Sequence, residues 1–207
     1  MQKSPQGGVG RGGVIGGLAV IVLAIAAFVF FTNHSSSAGP TATPSPAVTS
    51  VALSKSPIDG IGCETSEGSA YHIHQHLTLY DHGKSVPLPA YVGIPGGVSG
   101  NCLYWLHVHD MSPSNIVHIE SPVKRFFTLG NFLDIWTRTV STTTPSDGTF
   151  LANLKTAGQQ GQVTLFVNGK RYMRPYRSLT LRSHLAITLE VGKPVVAPKP
   201  FTDWQNL

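Results

Sequence analysis

Apolar and polar positions change rhythm several times along this chain, and each change marks a different kind of element. Residues 14–31 (VIGGLAVIVLAIAAFVFF) have no rhythm: eighteen positions pass without a charge, close to the roughly 20 that cross a bilayer as a helix. Across 32–57 (TNHSSSAGPTATPSPAVTSVALSKSP) large apolar side chains almost vanish among Ser, Thr, Pro and Ala. Such a composition buries too little surface to offset its ordering entropy, so it reads as a flexible stalk. A folded domain is expected from Ile58.

That domain starts with period two. Tyr71, Ile73, Leu77 and Leu79 alternate with polar positions, which predicts a strand over 71–80 with one face in a core. Asp81, His82 and Gly83 form a turn, with Gly83 free to take positive φ. A second strand, about 85–94, returns antiparallel, although Pro87 and Pro89 place it at an edge or break it. Further strands are expected at 103–109 and 116–120, the last stopped by Ser121 and Pro122. The period then becomes helical: Leu129, Phe132, Leu133 and Trp136 recur at i, i+3, i+4 and i+7 behind Thr128 as N-cap. Phe150, Leu151 and Leu154 repeat this more briefly before Gly158, predicting a second, short helix. Alternation resumes over 162–167, where Asn168-Gly169 is a strong hairpin signal leading to a partner at 170–174. A last strand over 185–191 ends at Gly192, and a proline-rich tail from Pro194 is expected to lie on the surface. Strands, then helices, then strands define an α+β fold: a mainly antiparallel β-sheet with one or two packed helices, preceded by a transmembrane helix and a stalk. No internal repeat and no nucleotide-binding loop is present.

Charge adds an orientation. Lys3 and Arg11 precede the apolar run and no charged residue follows it until Lys55, so the positive-inside tendency keeps the N-terminus in the cytoplasm and exports the rest. The expected organisation is a cytoplasmic tail (1–13), a single-pass anchor in the cytoplasmic membrane (14–31), the stalk (32–57), an extracytoplasmic domain (58–193) and a C-terminal tail (194–207). A cleaved signal peptide is the alternative; its apolar core usually runs about 7–15 residues. The longer run here favours an uncleaved anchor, and the small residues Ser36 to Gly39 leave cleavage open. Of the net charge of +5, Lys3 and Arg11 supply two, leaving +3 outside, too little to point to nucleic acid. Lys170, Arg171, Arg174, Arg177 and Arg182 cluster locally; a solvated hairpin face is the plainer account, and anionic head groups or an acidic partner the other.

Candidate chemistry lies in histidine. Seven of the nine histidines fall within 71–120, six of them in YHIHQH (71–76), WLHVHD (105–110) and IVHIE (116–120) and the seventh, His82, in the turn between. On extended backbone His72, His74 and His76 share one face, as do His107 and His109, with His118 beside Glu120. Histidines at i and i+2 can reach one ion, and a third from a neighbouring strand completes a three-nitrogen set of the kind used by zinc and copper. The candidate ligands are therefore His72, His74, His76, His107, His109 and His118. Asp110 and Glu120 are expected to accept imidazole N–H bonds or to ligate occasionally. The absence of a carboxylate cluster disfavours Ca²⁺ and Mg²⁺. A pH-responsive histidine cluster and a purely structural one are the alternatives. His34, His82 and His184 read as surface residues, and Met111 as a loop methionine that could serve as a soft copper ligand. Cys63 and Cys102 are the only cysteines; on the exported side a disulfide clamping the first two histidine segments is favoured over thiolate ligation.

The segments YHIHQHL, CLYWLHVHD, VHIESP and FTLGNFLDIW resemble a group of uncharacterised exported or membrane-anchored proteins of bacteria and archaea. That group shares HxHxxL, C…HTHD, IHIESP and FTLGxFFxxW, usually followed by a dGk hairpin that appears here as VNGK at 167–170. The resemblance covers about 61–191, with Val108 where the group often has threonine. It implies metal binding through the same histidines and carries over no established activity. A cupin fits poorly, because the glutamate expected shortly after its HxH is missing behind both His76 and His109.

The leading expectation is a membrane-anchored extracytoplasmic protein that binds Cu²⁺ or Zn²⁺ and exchanges it with a donor or acceptor protein. A metalloenzyme with an open metal position, using Glu120 or Asp110 as general base, is the second. A pH-responsive adhesion or sensor module is the third.

Overall fold

The computed structural model describes residues 56–109, 115–140, 145–204 and 207. Its elements in chain order are β1 (Cys63–Glu64), β2 (Tyr71–Asp81), β3 (Lys84–Val86), β4 (Leu103–Tyr104), β5 (Leu106–His107), β6 (Ile116–Ser121), α1 (Leu129–Thr139), α2 (Pro145–Gln159), β7 (Val163–Val167), β8 (Lys170–Arg171) and β9 (Leu185–Val191). The main sheet has the order β5-β6-β2-β9-β7-β8, with β3 also on β2, and β1 pairs with β4 separately. The fold is α+β with a mostly antiparallel sheet and two helices. The expected anchor and nearly all of the stalk lie outside the described residues; no helix among those residues is long and apolar enough to cross a membrane.

Period two and period 3.6 both place their apolar residues on one side. Leu77 and Leu79 of β2, Val117 and Ile119 of β6, Ile187 and Leu189 of β9 and Leu165 of β7 are buried, and the strand registers put them on a common face. Against them lie Phe132, Leu133 and Trp136 of α1 and Phe150 and Leu154 of α2, with Trp136 stacked on Phe150 at 5.8 Å. Each fully buried side chain of this size contributes about 1.5–3 kcal/mol. Thr128 caps α1 through a capping box with Asn131.

Several elements depart from the pattern-based expectation. The strand expected over 85–94 stops at Val86, where Pro87 ends the ladder. The strand expected over 103–109 is divided at Trp105: β4 pairs with β1 and β5 with β6. Helix α2 is longer than expected, beginning at Pro145 and carrying Gly158 inside it; proline suits the first helical position because its missing N–H has no intrahelical partner there. One central pairing, β2 with β9, is parallel, which the intervening helices permit as a crossover. The hairpins at His82-Gly83 and Asn168-Gly169 form as expected, all four residues having positive φ.

The opposite face of the sheet carries the polar alternates. At its β9–β7 side it is crossed by the C-terminal tail: Val196 N–H donates to Glu190 Oε2 at 2.9 Å, Phe201 stacks flat on His76 at 3.9 Å, and Trp204 packs on His184 at 4.7 Å. At its β5–β6–β2 side the same face carries His72, His74, His107, His109 and His118.

Candidate metal centre

Strand register builds the site. Strand β6 lies between β2 and β5, so His118 stands opposite His74 on one side and His107 on the other, while Glu120 stands opposite His72. Directly opposed residues point to the same face, and His109 follows His107 by two. Six side chains, five from three adjacent strands and His109 from just beyond β5, therefore share one patch. Ring centroids of His118 lie 4.6 Å from His74, 4.4 Å from His109 and 5.5 Å from His107.

The donor atoms fall into two groups, each with all its atoms within 4.8 Å of one another. One comprises His72, His74, His118 and Glu120; the other comprises His107, His109, His118 and Glu120. Both can hold a metal ion. Within the pairs, Nε2 of His72 is 3.0 Å from Nε2 of His74, and Nε2 of His107 is 3.3 Å from Nε2 of His109. Two nitrogens bound to one tetrahedral zinc are separated by about 3.3 Å, so the pairs already have the spacing of ligands.

Protonation supports the same direction of attack. His107 Nδ1–H donates to the Tyr104 carbonyl at 2.9 Å, which fixes the tautomer and leaves Nε2 as a bare lone pair facing His109 and Glu120. Burial, with smaller contributions from neighbouring imidazoles, lowers both His74 and His107 to about 4, keeping both neutral and able to ligate at neutral pH. Burial pushes Glu120 up, but the contact with His118 and the imidazoles of His107 and His72 more than offset it and hold the carboxyl at about 2. Glu120 is thus an anion whose side chain is only 4% exposed, with Oε1 3.0 Å from His72 Nε2 and Oε2 3.6 Å from His107 Nε2. Two buried atoms here fall short of good hydrogen bonds: Glu120 Oε2 has no partner, and His118 Nδ1 has Glu120 Oε1 beside it only at a long 3.4 Å. Buried polar atoms without partners are costly, and a cation between them would satisfy both.

The segment 91–94 braces the β5 edge. Tyr91 N–H bonds to His109 O, Val108 N–H to Val92 O and Tyr104 N–H to Gly93 O, at 2.9, 2.8 and 2.7 Å. Gly93 sits at φ 79°, and a Cβ there would lie 2.4 Å from Leu106 O, so only glycine allows the two segments to approach this closely. The Cys63–Cys102 disulfide forms as expected and joins the segments carrying β1 and β4.

Not every candidate reaches the patch. His76 shares the face of His74 but belongs to neither donor group; its ring lies under Phe201, and Nδ1 is 3.4 Å from Thr78 Oγ1. Glu120, expected mainly as an acceptor for imidazole N–H groups, contributes an atom to both groups. Asp110 and Met111 lie outside the described residues. His82 pairs with Asp81 in the turn at 2.6 Å. Glu67 has no sequence signal, yet its Oε1 comes within 3.5 Å of His109 Nε2. Of the basic cluster, Arg177 is paired with Asp134 and donates to Gly130 O. Compared with protein-family models, curated proteins and solved structures, the chain matches none.

Proposed function

We propose that this is a single-pass protein of the cytoplasmic membrane whose extracytoplasmic domain binds a divalent transition metal, copper or zinc, through His72, His74, His107, His109, His118 and Glu120. The observation that carries this reading is the convergence of imidazole nitrogens from β2, β5 and β6 around a buried, partly unsatisfied carboxylate. Five imidazoles to one central carboxylate favour copper or zinc over calcium or magnesium. The uncharged run at 14–31 and the disulfide support an anchored protein in an oxidising compartment. Capture and hand-over to an extracytoplasmic partner suit a site whose inner members are buried while His72 and His109 are 51% and 42% exposed.

The same exposure supports a second reading, a metalloenzyme in which water or substrate enters at this rim. Burial, which lowers His74 and His107 to about 4, counts against a switch driven by the charging of these two near neutral pH.

The test uses the full chain, purified in detergent and stripped of metal, titrated with Cu²⁺ and Zn²⁺ at neutral pH against a chelator of known affinity. Dissociation constants below about 1 µM are expected for at least one of the two ions. Absence of saturable binding of either ion would remove the proposal.

A further inference from the structure

We propose that the centre is dinuclear, with the carboxylate of Glu120 bridging two divalent ions, one held by His72 and His74 and the other by His107 and His109. The proposal deepens the metal-binding reading and depends on it. Strands β2 and β5 flank β6 on opposite sides, so the two histidine pairs start from backbones about 10 Å apart, two inter-strand spacings. That separation divides the donors into two groups that share only His118 and Glu120.

Glu120 is oriented for a bridge. Its Oε1 faces the first pair, 3.0 Å from His72 Nε2, while its Oε2 faces the second, 3.6 Å from His107 Nε2. Oε2 is buried without a hydrogen-bond partner, so one oxygen per ion accounts for both. Carboxylate-bridged ions of this kind sit roughly 3.5–4 Å apart. His118 lies between the pairs, Nδ1 3.4 Å from Glu120 Oε1, and completes three protein donors besides the carboxylate at one ion. Two divalent cations on a single buried carboxylate leave positive charge to balance. Glu67, 3.5 Å from His109, supplies a second carboxylate at the rim, and solvent-derived hydroxide can supply the remainder.

Copper alone serves as the probe. The metal-free full chain in detergent is titrated with Cu²⁺, bound copper is counted after desalting, and the paramagnetic resonance signal is followed. The expected result is two ions per chain, with the signal rising to one equivalent and falling toward two as the ions couple. His72→Ala and His109→Ala alter half-exposed rim residues, so both variants should fold; each should retain one tightly bound, uncoupled copper. Glu120→Gln should abolish the coupling. Saturation of the wild-type chain at one equivalent, or two equivalents without coupling, overturns the dinuclear proposal and leaves metal binding intact. Saturation at zero overturns both.

Discussion

His72 of β2 and Glu120 of β6 are cross-strand partners whose side chains meet at 3.0 Å, one half exposed and the other buried. The contact joins the solvent-facing rim of the centre to its floor, and Glu120, which also reaches His107 and His118, meets imidazoles from all three strands. Replacing it with the neutral isostere glutamine should keep the strand and its packing but remove the only buried carboxylate at the site among the described residues. Metal affinity of Glu120→Gln should fall by at least about 100-fold, more than loss of an outer hydrogen-bond partner usually costs, with a circular-dichroism spectrum like that of the wild type. Chelator competition on the two proteins measures it.

His76 gives the complementary expectation. It shares its face with two proposed ligands but stacks on Phe201. His76→Ala should leave metal affinity unchanged within about threefold while loosening the tail, seen as faster proteolysis after residue 194. His74→Ala should weaken binding strongly. Equal effects from the two would mean that position on the face, rather than membership of the donor groups, decides binding.

Metal-free protein should lose stability in acid over a defined range. His74 and His107 titrate at about 4 when folded against 6.5 in the unfolded chain, so the unfolded state takes up protons first as pH falls. Their contribution is complete above about pH 7 and is lost between 6.5 and 4. For His107 alone the loss approaches about 3 kcal/mol. Glu120, held at about 2 rather than 4.5, extends the decline from 4.5 downward. Urea midpoints of the chelator-treated protein should fall steadily from pH 7 to pH 4, and added metal should oppose the fall at its upper end.

Gly93 tests how the β5 edge is held. Gly93→Ala combines a left-handed φ of 79° with a Cβ placed 2.4 Å from Leu106 O. A destabilisation of at least about 2 kcal/mol is expected. Metal affinity should weaken as well, because Leu106 and His107 carry the displaced backbone. Denaturant unfolding and metal titration of this variant check both.

Reduction of Cys63–Cys102 should cost about 4 kcal/mol, from a closed loop with sequence separation 39. The loss should be larger without metal than with it, since an ion bound at the proposed centre would also tie β5 to β6. Thermal unfolding with and without reductant, in both metal states, measures the difference.

Much of this centre was legible because alternation on a strand fixes which face a residue occupies. His72 with His74, and His107 with His109, needed only period two, and α1 only its 3.6-residue apolar stripe and Thr128. Alternation says nothing about what covers the face. His76 obeys the same rule as His74, and a tail residue 125 positions later removes it from the site. Glu120 was legible as a neighbour of His118, but its reach was not; only the register opposite His72 shows that its carboxylate lies within both donor groups. Glu67 was not legible, because its approach to His109 depends on a loop path rather than on any periodic element. The parallel β2–β9 pairing, Gln75 opposite Leu185, joins segments about a hundred residues apart and has no local signature.

Crystals of the metal-loaded chain, measured at the absorption edge of the added copper or zinc, test the central claim most directly. The account predicts anomalous density on the β5–β6–β2 face, within bonding distance of Glu120 and of imidazole nitrogens from at least two of these strands. Density only at His82, His184 or lattice contacts, with the histidines of the three strands hydrogen-bonded among themselves, would contradict it.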